Sequence, residues 1–236
     1  HDERTPSFQV TPSRGLFYCF GCQTGGDTIT FLQLIENLTF VEAVQRLADR
    51  TGVQLRIIDD GTPSTPPGMR SQILAANDAA AEFFRRQMLS DEGAIARDFV
   101  TGRGFTREHA EYFGMGYAPK GGHVLRDHLL AQGFTPQVLV TSGLVRDSGW
   151  DFFQGRVLWP IKDSAASVLG FGARRVWGDD RMPAKYVNTP ETPVYKKSHV
   201  LYGLDLARTN IGKKNQVVVV EGYTDVMAMH TFTLTV

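Results

Sequence analysis

The chain has 236 residues, 42% of them hydrophobic, and its 25 basic and 25 acidic residues give a formal net charge of zero. This length allows one or two domains with a sizeable core, and the neutral balance argues against a protein that simply coats nucleic acid. No run of about 18 apolar residues occurs and the N-terminus is polar, so neither a transmembrane helix nor a signal peptide is expected.

Residues 1–58 have the pattern of a small module. Ser7–Thr11 and Leu16–Phe20 predict two short strands joined by a turn-rich connection. Asp27 follows two glycines and can cap a helix whose apolar residues recur at helical spacing. A second helix is predicted to end near Gly52.

The module is predicted to end with a strand at Val53–Ile58. Residues 59–68, DDGTPSTPPG, contain three prolines and two glycines and predict a linker. Residues 69–140 predict a mostly helical region. Its helical segments are Met69–Leu89, Glu92–Val100, Arg107–Phe113 and Val124–Ala131.

Strands return in the last third of the chain. Val157–Ile161 and Val168–Gly172 predict two strands around a polar turn. Residues 216–220, QVVVV, form a short β-branched run that predicts a buried and parallel strand.

The two cysteines form a Cys-x-x-Cys motif, Cys19 and Cys22, in which Gly21 permits a tight turn. Two thiolates at this spacing supply half of a tetrahedral zinc site. The alternatives are a redox pair or two inert cysteines, although the glycines that precede the helix argue against a redox pair. The spacing is poor for a structural disulfide, which favours a reducing, cytoplasmic setting.

Positive charge is concentrated between residues 156 and 214, which hold 11 Lys or Arg against five Asp or Glu. A basic stretch of this kind is typical of a phosphate-binding surface, although chance clustering on a solvated surface gives the same count. Farther along, Glu221 follows the predicted valine strand in an E-G-x-x-D motif, where open α/β sheets place their ligands. A carboxylate there can hold Mg²⁺, whereas the alternative is a solvated side chain or a helix cap.

The segments HDERTPSFQV and FYCFGCQTGGDTITFL resemble the zinc-binding domain of DnaG-type DNA primases. This resemblance implies a structural Zn²⁺ bound by His1, Cys19, Cys22 and a further cysteine that would precede the chain, so one ligand is missing from these residues.

Four aromatic residues of the module are candidates for stacking on template bases, namely Phe8, Phe17, Tyr18 and Phe20. The alternative is that they form the small core of the ribbon. We prefer the core interpretation for Phe17 and Phe20, because strand alternation sends side chains to opposite faces and a small module needs apolar mass.

The segments FFQGRVLWPIKDSAASVLGFGARRV and AKYVNTPETPVYKK resemble the polymerase domain of the same family. The resemblance implies that Arg156, Arg174, Lys185 and Lys197 line the groove for nucleic acid and nucleotide phosphates. We expect their side chains to lie on one connected face.

VVVVEGYTDVMAMH is similar to the opening of the Toprim module of primases. The resemblance implies that Glu221 is the first catalytic acid and a ligand of catalytic Mg²⁺, with the other acids beyond residue 236. We therefore expect this chain to be an incomplete fragment that is inactive alone.

These observations predict an α+β protein. We expect a zinc-ribbon DNA-binding domain at 1–58, a linker at 59–68, a mixed α/β primase polymerase subdomain at 69–214, and the first strand and helix of a Toprim fold at 215–236. The implied function is the synthesis of short RNA primers by metal-dependent nucleotidyl transfer.

The implied partners are single-stranded DNA template, ribonucleoside triphosphates and nascent RNA, and a replicative helicase that binds through regions absent here. Two alternatives from other classes are a non-catalytic zinc-ribbon protein that binds single-stranded DNA and another Toprim enzyme.

Overall fold

The computed structural model describes residues 6–36, 38, 40–55, 68–163, 165–179 and 182–232. The chain divides into two compact units. The smaller unit comprises residues 1–67 with 210–216, and the larger unit comprises residues 68–209 with 217–236. The fold is α+β, as predicted, with one antiparallel sheet described in each unit.

The sheet of the smaller unit has three strands in the order β1-β2-β3. The strands are β1 (Phe8–Thr11), β2 (Leu16–Cys19) and β3 (Thr24–Asp27). The first two are the predicted strands, whereas β3 falls where a loop is expected because of its two glycines. Gly25 has a specific function in the sheet, since it lies opposite Tyr18 and a Cβ atom at Gly25 would collide with the Tyr18 ring.

Two helices follow this sheet, α1 (Thr28–Glu36) and α2 (Phe40–Thr51). Asp27 caps α1 as predicted, because its Oδ1 accepts a hydrogen bond from the Thr30 backbone N–H at 2.8 Å. The predicted closing strand is wrong for residues 53–55, which have no strand structure and no pairing partner in the described part of the chain. The rest of that prediction, residues 56–58, lies outside the described residues.

Helices open the larger unit, and four of them match the predicted segments closely. They are α3 (Met69–Gln87), α4 (Ala94–Thr101), α5 (Arg107–Tyr112) and α6 (Val124–Ala131). A fifth helix, α7 (Pro136–Thr141), is not predicted although its start signals are present in the sequence. The Thr135 hydroxyl accepts from the Val138 backbone N–H at 3.3 Å, and Pro136 occupies the first helical position.

A second antiparallel sheet forms the centre of this unit, with the strand order β4-β5-β6-β7. The strands are β4 (Gly116–Ala118), β5 (Arg156–Lys162), β6 (Val168–Arg175) and β7 (Tyr186–Asn188). One face packs Leu158 and Phe171 into an apolar core with residues of α3, α6 and α7. The other face buries Trp159 in a second core with Phe105 and Met115.

Two helices complete the described elements, α8 (Leu204–Lys214) and α9 (Tyr223–Phe232). The predicted buried strand at 216–220 is wrong, since these residues have no strand structure and Val217 and Val219 are 59% and 73% exposed. A strand needs neighbours for its backbone hydrogen bonds, and no described strand pairs with this segment. None of the helices in the described ranges has both the length and the apolar character that a membrane span requires.

The start of α6 is fixed by Asp151, a residue distant in sequence. Asp151 is 2% exposed, and its two carboxylate oxygens accept hydrogen bonds from the backbone N–H groups of Leu125 and Arg126, both at 2.9 Å. His123 precedes the helix without a capping side-chain bond, so Asp151 satisfies donors that the helix start would otherwise leave unpaired. Burial raises the pKa of Asp151 to about 6.

We expect Asp151→Ala to lower the free energy of unfolding by about 2 kcal/mol near neutral pH, since two buried donors lose their acceptor. The measurement is urea unfolding followed by circular dichroism, with the exposed Asp147→Ala as the control. The folded pKa of about 6 lies above the ordinary 3.8, so the contribution of Asp151 falls as pH rises through that interval. The difference between wild type and variant should therefore shrink between about pH 4 and pH 7; a difference that grows with pH would contradict this account.

Candidate nucleic-acid interface and metal-binding residues

The two cysteines lie at one tight turn of the small sheet. Cys19 ends β2 opposite Thr24, so residues 20–23 connect β2 to β3, and Gln23 has a left-handed backbone with φ 57°. Neither cysteine forms a disulfide; Cys19 is buried with its Sγ 3.7 Å from Ser7 Oγ, and Cys22 is exposed. Two thiols on one such turn suit half of a tetrahedral zinc site.

The remaining predicted zinc ligand, His1, lies outside the described residues. Within the described ranges, no group of three or more His, Cys, Asp or Glu side chains could hold a metal ion, either at the cysteines or at Glu221.

The aromatic residues of the small sheet divide between its two faces. Phe17 packs against Phe8 and Phe31 with ring centroids 5.7 and 5.2 Å apart, so the core interpretation is correct for Phe17. It is wrong for Phe20, which is 63% exposed, because Phe20 lies in the turn beyond the last β2 residue. Phe20 instead makes an edge contact with Tyr18, which is 41% exposed.

Tyr18 and Phe20 therefore present two aromatic rings at the surface of the small unit. Tyr18 also lines an open depression of about 590 Å³ together with Gln9 and Gly25. Exposed rings beside an open surface are suited to stacking on unpaired bases.

Arg174 lies over an aromatic ring in the larger unit. Its guanidinium Cζ is 4.4 Å from the centroid of the Phe99 ring, and Nη1 donates to the Arg175 carbonyl at 2.9 Å. Its buried Nε has no hydrogen-bond partner among the described residues. Arg174 pairs with Tyr186 of β7, so the two side chains share one face of the sheet.

A second guanidinium lies over the same Phe99 ring. The Cζ atom of Arg103 is 5.4 Å from its centroid, so Phe99 receives two cations. Arg103 is not among the residues predicted from the sequence. The sequence offers little signal for it, because Arg103 lies in the turn after α4, beyond the end of the helix that carries Phe99.

The expectation that the four predicted basic residues share one connected face is wrong for Arg156. In the β5–β6 register, Arg156 pairs with Arg175 while Val157 pairs with Arg174, so Arg156 and Arg174 point to opposite faces of the sheet. Arg156 is only 1% exposed, and its Nη2 donates to the carbonyls of Met182 and Ala184, both at 3.0 Å.

Lys185 and Lys197 are both exposed. Lys185 precedes β7 with its Nζ 5.9 Å from the centroid of the Tyr186 ring, and Tyr186 shares the face of Arg174. Lys197 begins a 3₁₀ turn, and the preceding Tyr195 packs in the core formed with Ile161, which lies on this same face. Among the described residues, a shared contact with Phe99 therefore joins Arg174 to Arg103, whereas the side chains of Lys185 and Lys197 are placed only by their neighbours in sequence.

Glu221 is exposed and lies two residues before an anchored tyrosine. The Tyr223 ring stacks on Trp159 with centroids 5.2 Å apart, and its hydroxyl donates to Asn188 Oδ1 at 2.7 Å. Gly172 makes room for this ring, because a Cβ atom there would overlap Tyr223. Burial holds the pKa of Tyr223 well above its ordinary value, so the hydroxyl remains a donor.

Comparison with protein-family models gives two matches. Residues 83–208 match the family described as the DNA primase catalytic core, N-terminal domain. Residues 1–62 match the CHC2 zinc finger.

Individual relatives agree with these families. The DNA primase of Mycolicibacterium smegmatis is 52% identical over 235 residues, which cover 98% of this chain and 37% of the relative. Among solved structures, the zinc-binding and RNA polymerase domains of the Aquifex aeolicus primase are 35% identical with a TM-score of 0.62, covering 98% of this chain and 55% of that one.

A further solved structure contains DNA. The RNA polymerase domain of Mycobacterium tuberculosis primase DnaG, in complex with a double-stranded DNA oligomer with a 6-nucleotide overhang, is 54% identical with a TM-score of 0.67. The similarity covers 68% of this chain and 51% of that one. This chain spans little more than a third of the length of the Mycolicibacterium smegmatis DNA primase. Because the catalytic-core model alone matches more than half of the sequence, the chain belongs to the DnaG-type DNA primase family.

Proposed function

We propose that the protein containing this chain is a DNA primase, which synthesises short RNA primers on single-stranded DNA by metal-dependent nucleotidyl transfer. Membership of the family supports this proposal. The structural observation that carries it is the pair of guanidinium groups of Arg103 and Arg174 over the Phe99 ring. Two cations held on an aromatic platform, next to the exposed ring of Tyr186, suit a strand of phosphates and unpaired bases.

The basic residues of this region would bind the phosphates. Arg174 is already oriented by its contact with Phe99, so its ordering costs little side-chain entropy on binding. Lys185 and Lys197 are exposed and act as mobile point charges. Arg103 extends the predicted set.

Glu221 would serve as a catalytic carboxylate. Bound Mg²⁺ would supply the activation of the attacking hydroxyl and the neutralisation of the leaving pyrophosphate. Glu221 would contribute one oxygen ligand, and further acids and substrate phosphates are needed, because Mg²⁺ gives up its water shell reluctantly. The Tyr223 anchor supports this role, since it fixes the chain two residues from Glu221 against the central sheet.

The zinc-finger match at residues 1–62 suggests a Zn²⁺ site in the small unit. We propose Cys19, Cys22 and His1 as three of its ligands, with a cysteine preceding His1 as the fourth. The exposed rings of Tyr18 and Phe20 would then contact template bases beside it.

The wider proposal keeps the domain limits expected from the sequence and a cytoplasmic setting. Its substrates are ribonucleoside triphosphates and nascent RNA, and its partner is a replicative helicase. A non-catalytic zinc-ribbon protein is not favoured, because the catalytic-core family model matches residues 83–208. The same match argues against another type of Toprim enzyme.

We expect Cys19→Ser and Cys22→Ser each to lower the zinc content of the full-length protein from about one ion to well below one half, since a hydroxyl is a poor zinc ligand. The measurement is metal analysis after dialysis. Thr11→Ser, an exposed change in the same sheet, is the control and should retain zinc. Unchanged zinc in both cysteine variants would exclude this site.

Arg103→Ala and Arg174→Ala should each weaken single-stranded DNA binding by roughly tenfold, the size expected for one charge-assisted contact. Each should also reduce the slope of log affinity against log salt by about 0.7, because one fewer counterion is released. Fluorescence anisotropy over a salt series measures both quantities. Arg85→Ala removes one charge from an exposed pair with Glu82 and should change neither; equal effects in all three variants would show that net charge alone is responsible.

Glu221→Gln in the full-length protein should abolish primer synthesis and leave template binding within about twofold, because the amide keeps the shape but loses the charge that binds Mg²⁺. A primer-synthesis assay with Mg²⁺ and ribonucleotides, run beside the binding assay, tests both expectations. Glu111→Gln, an exposed glutamate paired with Arg107, is the control. Normal synthesis by Glu221→Gln would remove this residue from the mechanism.

A further inference from the structure

Three successive backbone carbonyls just before Lys185 all accept hydrogen bonds from arginine side chains. Arg156 Nη2 donates to the carbonyls of Met182 and Ala184 at 3.0 Å each, and Arg175 Nη1 donates to the Pro183 carbonyl at 3.4 Å. We call these two arginines and residues 182–184 the arginine clamp.

The positions of the two arginines follow from the sheet. Arg156 and Arg175 are directly opposite in the β5–β6 register, so two like charges stand side by side on one face. Such a pair is destabilising by itself. Carbonyl oxygens are the negative ends of peptide dipoles, and their convergence on the two guanidinium groups compensates for the repulsion.

The clamp leads directly into Lys185 and β7. The Arg175 backbone N–H donates to the Lys185 carbonyl at 2.9 Å, and the next pair of the ladder joins Arg174 to Tyr186. The backbone is therefore held from residue 182 into β7. Because Lys185 is exposed, its ammonium group depends on this backbone for its placement beside Tyr186.

We propose that Arg156 is a positioning residue, which together with Arg175 fixes residues 182–184 and so delivers Lys185 to bound single-stranded DNA. This inference rests on the proposed role of Lys185 in template binding. Arg156 itself is 1% exposed and its Nη2 is engaged by the carbonyls of Met182 and Ala184, so its guanidinium is directed at the backbone rather than at the surface. The family motif around Arg156 is thereby assigned to shaping the groove, and Lys185 to the phosphate contact.

A double-mutant cycle on the full-length protein tests this assignment. The variants are Arg156→Met, Lys185→Ala and their combination, and the readout is anisotropy of a labelled single-stranded oligodeoxynucleotide over a salt series. Methionine keeps the buried apolar stem but cannot donate. Arg146→Met is the matched control, since it removes one charge from an exposed arginine in the same unit.

We expect Lys185→Ala and Arg156→Met each to weaken binding by roughly tenfold. The double variant should be no weaker than Lys185→Ala alone, because Arg156 acts only through Lys185. Hydrogen exchange of a peptide covering residues 174–187 should accelerate in Arg156→Met and stay unchanged in Lys185→Ala.

Three results would overturn the inference. Additive losses in the double variant would make Arg156 an independent contact, and normal binding by Arg156→Met would remove it from the interface. If Lys185→Ala binds normally while Arg103→Ala does not, the inference fails and the proposed function stands. If neither Lys185→Ala nor Arg103→Ala weakens DNA binding, the proposed interface itself is contradicted.

Arg175→Met provides a second test should Arg156→Met fail to fold. Arg175 is only half-buried and its bond to the clamp is the longest of the three, so the variant perturbs the core less. It should weaken binding by about threefold, since it removes the weakest bond of the clamp, and the loss should vanish in the Lys185→Ala background. An additive loss here overturns the proposal as well.

Discussion

The hydrogen-bonded register between β5 and β6 determines which charges this protein buries and which it presents. Arg156 lies opposite Arg175, and Val157 lies opposite Arg174. Successive side chains of a strand point to opposite faces, and a slip by one residue would exchange the faces of a whole strand. The apolar residues prevent such a slip, because Leu158 and Trp159 pack into different cores on the two faces. The packing of the sheet therefore places Arg174, and not Arg156, on the face that carries Tyr186.

The same sheet also places the acidic residue. Trp159 is fully buried and offers its ring to Tyr223, while its Nε1 donates to the Met227 sulfur at 3.1 Å, so one side chain contacts two residues of α9. Asn188 of β7 accepts a hydrogen bond from the Tyr223 hydroxyl. Arg174 and the tyrosine that anchors the segment of Glu221 are thus held by neighbouring strands of one sheet.

Local signals in the sequence predict most elements of the larger unit. A segment rich in Ala, Phe and Leu without Pro or Gly identifies α3, and two apolar runs around a polar turn identify β5 and β6. The sequence does not predict β3, because Gly25 argues against a strand until the opposing ring of Tyr18 is known. The cap of α6 is likewise not evident from the sequence, since Asp151 lies 26 residues after Leu125, from whose backbone N–H it accepts a hydrogen bond.

The candidate site is likewise only partly predictable from the sequence. The family resemblance identifies Arg174 and Lys185, but residue type alone does not separate Arg174 from Arg156. That separation depends on strand pairing and on the carbonyls of residues 182–184, which are tertiary features. Arg103 is missed because its importance comes from sharing the Phe99 ring with Arg174, a contact across about 70 residues.

The valine segment before Glu221 shows how a correct apolar pattern can give an incorrect strand. Residues 217–219 are β-branched, yet each is more than half exposed, because a strand gains its free energy from neighbours on both edges and from covered faces. No described strand supplies these neighbours. The position of Glu221 is nevertheless well determined from its other side, since α9 begins at Tyr223 and that ring is stacked, hydrogen-bonded and accommodated by Gly172. The acidic motif is therefore anchored by the helix that follows it. The valine segment on its other side pairs with no described strand of the central sheet, so strand pairing there would be needed to fix the residues that precede Glu221.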